Sequence, residues 1–257
     1  MDLTDTSAVI SGGASGLGHA AAAALAEAGA HVVVVDLPDG EGETVRADAV
    51  AALGGRAQFV AGDITDPQVS REAVAAAAGQ APLRTAISCA GIATPGKLLG
   101  RDGPLPYETF MKVLAVNAGG TVNLMAAAAE AMRENEPSEG DRGVLINTAS
   151  VAAFDGQIGQ IAYSASKGAV HSLTLPAARE LARHAIRVVT IAPGLFETPM
   201  MAGLPEKARE SLRAKALHPS RLGRPEDYAQ TALQIIANPM LNGETIRLDG
   251  AVRLDPQ

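Results

Sequence analysis

Residues 8–18 read Ala8-Val9-Ile10-Ser11-Gly12-Gly13-Ala14-Ser15-Gly16-Leu17-Gly18. A short β-prone run enters a loop whose Gly12, Gly16 and Gly18 are spaced G-x-x-x-G-x-G, and an Ala-rich helix follows to about Ala28. Each glycine has its own task at such a strand–loop–helix junction. Gly12 permits the turn, Gly16 lets backbone approach a pyrophosphate, and Gly18 lets helix and strand pack closely. The amides of the helix's first turn supply the anion site. Glycines also serve ordinary turns, so the surrounding chain has to carry the reading.

Working outward, a second strand from His31 to Val35 ends at Asp36, about twenty residues past the glycines. A carboxylate there accepts bonds from adenosine ribose hydroxyls and repels a 2′-phosphate, which favours NAD over NADP. Arg46 is the nearest cation and lies too far along the next helix to argue for NADP. Further strands are expected at Ala57 to Val60, Leu83 to Ser88, around Val144 to Ile146, Ile186 to Ile191 and Glu244 to Leu248. Helices are expected at about Glu41 to Leu53, after the Asp66 cap with Pro67 in the first turn, at Tyr107 to Met132, through to about His184, and from Arg224 to about Ala237. Strands alternating with helices predict an α/β fold: a Rossmann-type doubly wound parallel sheet with helices on both faces, in a single domain over 1–257.

Composition agrees. Of 257 residues 47% are hydrophobic and 19% charged, enough for a large core. A net charge of -7 argues against a surface that coats nucleic acid. The one cysteine, Cys89, excludes an intramolecular disulfide and a Cys-rich zinc site, and five scattered His without His-x-x-x-His spacing give no metal centre. The acidic N-terminus lacks a secretory pattern, and no apolar stretch approaches the roughly 20 residues needed to cross a bilayer. A cytoplasmic protein with no membrane partner is expected.

A second informative stretch runs from Ser150 to Lys167, SVAAFDGQIGQIAYSASK. Tyr163 and Lys167 are four residues apart and share a helical face. A phenol titrates near pH ~10, and a neighbouring cation favours the phenolate, which makes Tyr163 a proton acceptor nearer neutrality. Ser150 follows the apolar run Val144 to Ile146 and its tail Asn147-Thr148-Ala149, at a strand end where its hydroxyl can bond a substrate oxygen. Ser, Tyr and Lys together describe an alcohol/carbonyl redox site.

With the glycine loop, this constellation resembles the short-chain dehydrogenase/reductase family over nearly the whole chain. Within that family, Asp36-Leu37-Pro38, residues 143–154, residues 190–196 and residues 242–250 resemble the type II 3-hydroxyacyl-CoA dehydrogenases, some of which also take hydroxysteroids. The resemblance implies NAD as cofactor and Asn117, Ser150, Tyr163 and Lys167 as catalytic residues. Asn117 is unfavourable in the middle of a helix; in the family this Asn distorts the helix and holds a water that links the Lys to solvent. Implied cofactor contacts are Gly12, Ser15, Gly16, Leu17 and Gly18 at the pyrophosphate, Asp36 at the ribose, and Asp63 with Ile64 at the adenine. Ala90 and Gly91 follow through their backbone, with Tyr163 and Lys167 at the nicotinamide ribose and Pro193 and Thr198 at the carboxamide end.

Three departures stand out. Ser11 replaces a Thr, Ser88-Cys89 replaces Asn-Asn, and the loop from Lys97 to Pro106, with Arg101, differs where acyl-CoA contacts are expected. The segment at about 195–220 reads as a substrate lid whose Leu195, Phe196, Met200, Met201 and Leu204 suit an apolar substrate. The resemblance also implies a small-molecule substrate, an acyl-CoA, and a homotetramer, with close packing around Ala162, Ala165, Ser166 and Ala169. The same fold also serves NADPH-linked 3-oxoacyl-carrier-protein reductases and hydroxysteroid or alcohol dehydrogenases. A non-catalytic nucleotide-binding scaffold would be expected to lose Tyr163 or Lys167, and both are present.

Overall fold

Four consecutive valines leave no polar alternation for a half-exposed strand, so the second strand must be covered on both faces. In the computed structural model, which describes residues 1–40, 44–202 and 216–256, it is an inner strand of one parallel sheet, paired on both sides. The chain runs β1 (Ser7–Ser11), α1 (Gly16–Glu27), β2 (His31–Asp36), α2 (Val45–Ala51), β3 (Ala57–Ala61), α3 (Pro67–Ala78) and β4 (Leu83–Ser88). A small hairpin of β5 (Leu99–Gly100) and β6 (Gly103–Pro104) precedes α4 (Tyr107–Leu114), α5 (Gly120–Met132) and β7 (Gly143–Thr148). Then come α6 (Ile161–Leu181), β8 (Ile186–Pro193), α7 (Pro199–Ala202), α8 (Pro225–Ala237) and β9 (Thr245–Leu248).

Seven of these strands pair in the order β3-β2-β1-β4-β7-β8-β9, all parallel. The winding reverses between β1 and β4, which opens a crevice at their carboxyl ends, where such sheets bind ligands. One face packs Ile10, Val32, Val34, Ile146 and Val189 under α1 and α8. The other packs Val9, Val33, Leu145 and Val188 under α3, α5 and α6. The helices meet the sheet through small residues at helical spacing: Gly18, Ala21, Ala22 and Leu25 on α1, and Ser70, Ala73, Val74 and Ala77 on α3. Asp66 caps α3 by accepting from the Gln68 amide, with Pro67 at the first position. Arg187, buried in β8, donates to Asp141 and to the carbonyls of Ile235, Ile236, Asn238 and Leu241, so it caps α8 and seats it on the sheet.

Several expectations change. The helix expected at about Glu41 to Leu53 is described as Val45–Ala51, residues 41–43 lying outside the described part. The long helix from Tyr107 is interrupted by a π turn at Ala115–Gly119. That whole run, Tyr107–Met132, is long and apolar enough to cross a membrane, contrary to the reading of its sequence. Yet its inner face, with Val113, Leu124, Ala128 and Met132 buried, covers the sheet beside α3 and α6, so it serves as a core helix. Of the expected lid, Leu204 lies outside the described residues. Phe196 is 6% exposed in the core, with its ring against Gly223, so it helps hold the segment down rather than lining a substrate site.

Candidate active site

The loop after β1 is shaped by contacts that only glycine permits. Gly12 has φ +67, and a Cβ there would sit 2.6 Å from the Ala90 nitrogen; a Cβ on Gly18 would sit 2.3 Å from the Gly12 carbonyl oxygen. Gly16 also has positive φ (+54), and Thr198 and Pro199 stand beside it. Ser15 is the N-cap residue but makes no side-chain bond to α1, which leaves the first-turn amides, including that of Leu17, for an anion. Asp36, at the end of β2, accepts from the Ala14 amide at 3.2 Å and so ties the loop to the second strand. This cradle, followed by a carboxylate at the end of β2, fits NAD(H).

The other implied cofactor residues cluster around the same crevice. Asp63 Oδ1 accepts from the amide and hydroxyl of Thr65, while Ile64 is buried against Gly120, so its side chain packs inward. Ala90 lies against Gly12, and Gly91 faces Asn117 and Lys167: a Cβ there would be 3.2 Å from Asn117 Oδ1 and 3.5 Å from Lys167 Nζ. Pro193 ends β8, and Thr198 Oγ1 accepts from the Met201 amide at 3.4 Å at the start of α7.

Ser150 follows β7 with extended backbone and accepts from the Ala152 amide at 3.1 Å, which starts a short 3-10 turn. Tyr163 and Lys167 share the first turns of α6, and the ammonium lies 5.9 Å from the phenol ring centroid. Asn117 is fully buried at the π turn: its Oδ1 accepts from the Ile92 amide at 2.8 Å, and its Nδ2 donates to Ile92 O and Ser166 Oγ, each at 2.9 Å. It therefore clamps the loop after β4 onto α6, one residue from Lys167.

The electrostatics differ from the sequence expectation. The Lys167 Nζ donates to the Thr148 carbonyl at 2.7 Å. Burial pushes the Tyr163 phenol above its usual range, and a bond with Ser150 offsets this in part. Burial brings Lys167 down from the usual 10.5 to about 8.

The sequence missed Tyr228. Its hydroxyl lies 2.8 Å from Thr148 Oγ1, and Cys89 Sγ is 3.4 Å from both oxygens. Cys89, which replaces an expected Asn, thus links β4 to β7 and α8, and burial pushes its thiol pKa up, away from reactivity. No local signal marks this triad, because its members lie 59 to 139 residues apart.

The Lys167 shift has a measurable consequence for stability. Below pH 8 the folded and unfolded chains both carry the charge, and the fold bears its desolvation. As pH climbs from about 8 toward 10.5 the folded chain releases the proton first, and stability rises by up to about 3 kcal/mol. From pH ~9 this gain is opposed, and above pH ~10 the trend reverses, since the Cys89 thiol and then the phenols of Tyr163 and Tyr228 are held neutral in the fold while they ionise in the unfolded chain. Urea denaturation without nucleotide is expected to show a gain between about pH 7.5 and 9 that Lys167→Met lacks. Equal pH slopes for the two proteins would assign the gain to another group.

A doubly wound sheet with a dinucleotide cradle at its switch point and a Ser–Tyr–Lys cluster beside it defines a nucleotide-dependent oxidoreductase. Residues 6–209 match the family model for short chain dehydrogenase, and the chain belongs to that family. It is 49% identical over 253 residues to human 3-hydroxyacyl-CoA dehydrogenase type-2, covering 97% of this chain and 95% of that one. The crystal structure of 3-hydroxyacyl-CoA dehydrogenase type-2 from Mycobacterium avium superposes with a TM-score of 0.92 at 38% identity, over 98% of each chain. That of 3-ketoacyl-(acyl-carrier-protein) reductase from Brucella melitensis complexed with NADH has a TM-score of 0.85 at 27% identity, covering 97% of this chain and 98% of that one.

Proposed function

We propose that the chain interconverts 3-hydroxyacyl-CoA and 3-oxoacyl-CoA esters, short-chain or branched, with NAD(H) as cofactor. The observation that carries this is the end-to-end likeness to 3-hydroxyacyl-CoA dehydrogenase type-2 proteins. The Ser150–Tyr163–Lys167 cluster supplies the matching chemistry beside the glycine cradle.

Held by the glycine loop from Gly12 to Gly18 and by Asp36, NAD(H) would supply the hydride chemistry at the carbinol carbon. Tyr163 takes the hydroxyl proton in oxidation and returns it in reduction. Its raised pKa keeps it protonated near neutral pH, the form needed to donate to a carbonyl, and oxidation gains as pH rises and the phenolate forms. Ser150 holds the oxygen on which charge develops. Lys167 brings a mobile proton and a positive charge near the phenol, anchored on the Thr148 carbonyl. Asn117 keeps the β4 loop and α6 in register around Lys167 at the inner end of the proton path.

The hairpin of β5 and β6 is tied to the entrance of α6, since the Gly96 amide donates to the Gly159 carbonyl at 2.8 Å. Lys97 and Arg101 lie on this structure, and we assign the acyl-CoA contacts to it. The segment at about 195–220 acts as the lid of this one domain.

Of the surface expected at Ala162, Ala165, Ser166 and Ala169, Ala162 and Ser166 are buried within the fold; the exposed stripe of Met111, Ala115, Val122 and Ala126, with Ile161, Ala165 and Ala169 on α6, suits close helix packing and supports a homotetramer. A reducing cytoplasmic compartment suits the free, partly buried thiol.

The test is NADH appearance with NAD and a panel of (S)-3-hydroxybutyryl-CoA, its 2-methyl analogue, longer 3-hydroxyacyl-CoAs and a hydroxysteroid. Turnover of the CoA esters is expected. Silence on every ester with turnover of the steroid would leave the redox site standing and remove the acyl-CoA assignment.

A further inference from the structure

Arg46 is ten residues beyond Asp36 in the sequence, yet at the start of α2 it lies beside the end of β2. Its Nε lies 3.6 Å from Asp36 Oδ1, and its Nη1 lies 3.5 Å from Asp39 Oδ1 and donates to the Pro38 carbonyl at 3.2 Å. The root of the side chain is fixed as well: Asp39 accepts the amides of Arg46 at 2.9 Å and Ala47 at 3.1 Å, which anchors the start of α2. Asp36 is held from below by the amides of Ala14 and Leu37. The carboxylate at the adenosine ribose position therefore has a guanidinium on its outer side, 39% exposed and open to a ligand. This corrects the expectation that Arg46 is too distant to matter.

We propose that Arg46 is a cofactor-specificity residue: it holds Asp36 toward the ribose diol and is itself within reach of a 2′-phosphate. The preference for NAD over NADP is then set by the Asp36–Arg46 pair and not by Asp36 alone. This rests on the dinucleotide reading of the glycine cradle.

Asp36, Asp39 and Arg46 sum to one negative charge, which repels a 2′-phosphate. Removing the Asp36 charge brings the group to neutrality and releases the Nε of Arg46 for a phosphate oxygen, where a guanidinium binds well. Asp39 keeps its contact with Nη1 and its bonds to the helix amides, which hold its carboxylate at that end of the guanidinium and leave the Nε free.

Calorimetric titration with NADH and with NADPH, in the absence of substrate, tests this on the whole chain. The wild type is expected to prefer NADH, and Asp36→Ala to tighten NADPH by about tenfold, the scale of one charge-assisted contact at a partly exposed site. Adding Arg46→Ala to Asp36→Ala should abolish that gain while moving NADH affinity by no more than about twofold, and Arg46→Lys in the same background should retain most of it. Equal NADPH affinity for Asp36→Ala with and without Arg46 would overturn the proposal. Failure of the wild type to bind either nucleotide would instead bring down the cofactor reading on which it rests.

Discussion

Tyr163→Phe is expected to bind NADH as the wild type does and to lose turnover by about 10² to 10⁴, the usual contribution of a positioned general acid–base group. The substitution removes only a hydroxyl, so the ring keeps its place between Ser150 and Lys167 and the cofactor cradle is untouched. Steady-state kinetics on the best CoA ester, beside calorimetric titration with NADH, separates the two effects. A loss of less than tenfold would move the proton-transfer role elsewhere. Lys167, brought to about 8 by burial, would then be the first alternative, because it too titrates near the working range.

Gly12→Ala is expected to weaken NADH binding at least 100-fold and to destabilise the fold by about 2–4 kcal/mol. Two costs combine. The residue has φ +67, where an L side chain is strained, and its Cβ would meet the Ala90 nitrogen at 2.6 Å, the Ala90 Cα at 2.7 Å and the Cys89 carbonyl carbon at 2.9 Å. All three are backbone atoms, so the loops after β1 and β4 would have to separate at the switch point where the dinucleotide binds. Gly54 supplies the control, with φ +94 and no atom within 4 Å of a built Cβ. Gly54→Ala carries the strain alone, about 1–2 kcal/mol, and should leave NADH affinity near that of the wild type. If calorimetry and urea denaturation gave the same result for both variants, the close approach of the two loops would have no importance of its own.

The seven sheet strands, the glycine cradle, the Asp66 cap and the Ser150–Tyr163–Lys167 spacing were legible in the amino-acid sequence alone. Those features depend on neighbours: β-branched runs that must be covered, glycines at a turn, a carboxylate before a helix, two side chains four residues apart. What tertiary structure decided is of another kind. The π turn at Asn117 follows from a clamp to Ile92 and Ser166, 25 and 49 residues away. The approach of Arg46 to Asp36 depends on the Asp39 bonds that anchor the start of α2, and the burial of Phe196 on its packing against Gly223. Desolvation, which raises Tyr163 and lowers Lys167, is set by everything packed around the pair, and it reverses the effect their spacing implies for the phenol. Local backbone preference and periodicity are written residue by residue. Burial and charge compensation exist only once distant segments have met, and at this site they set the protonation states on which the chemistry depends.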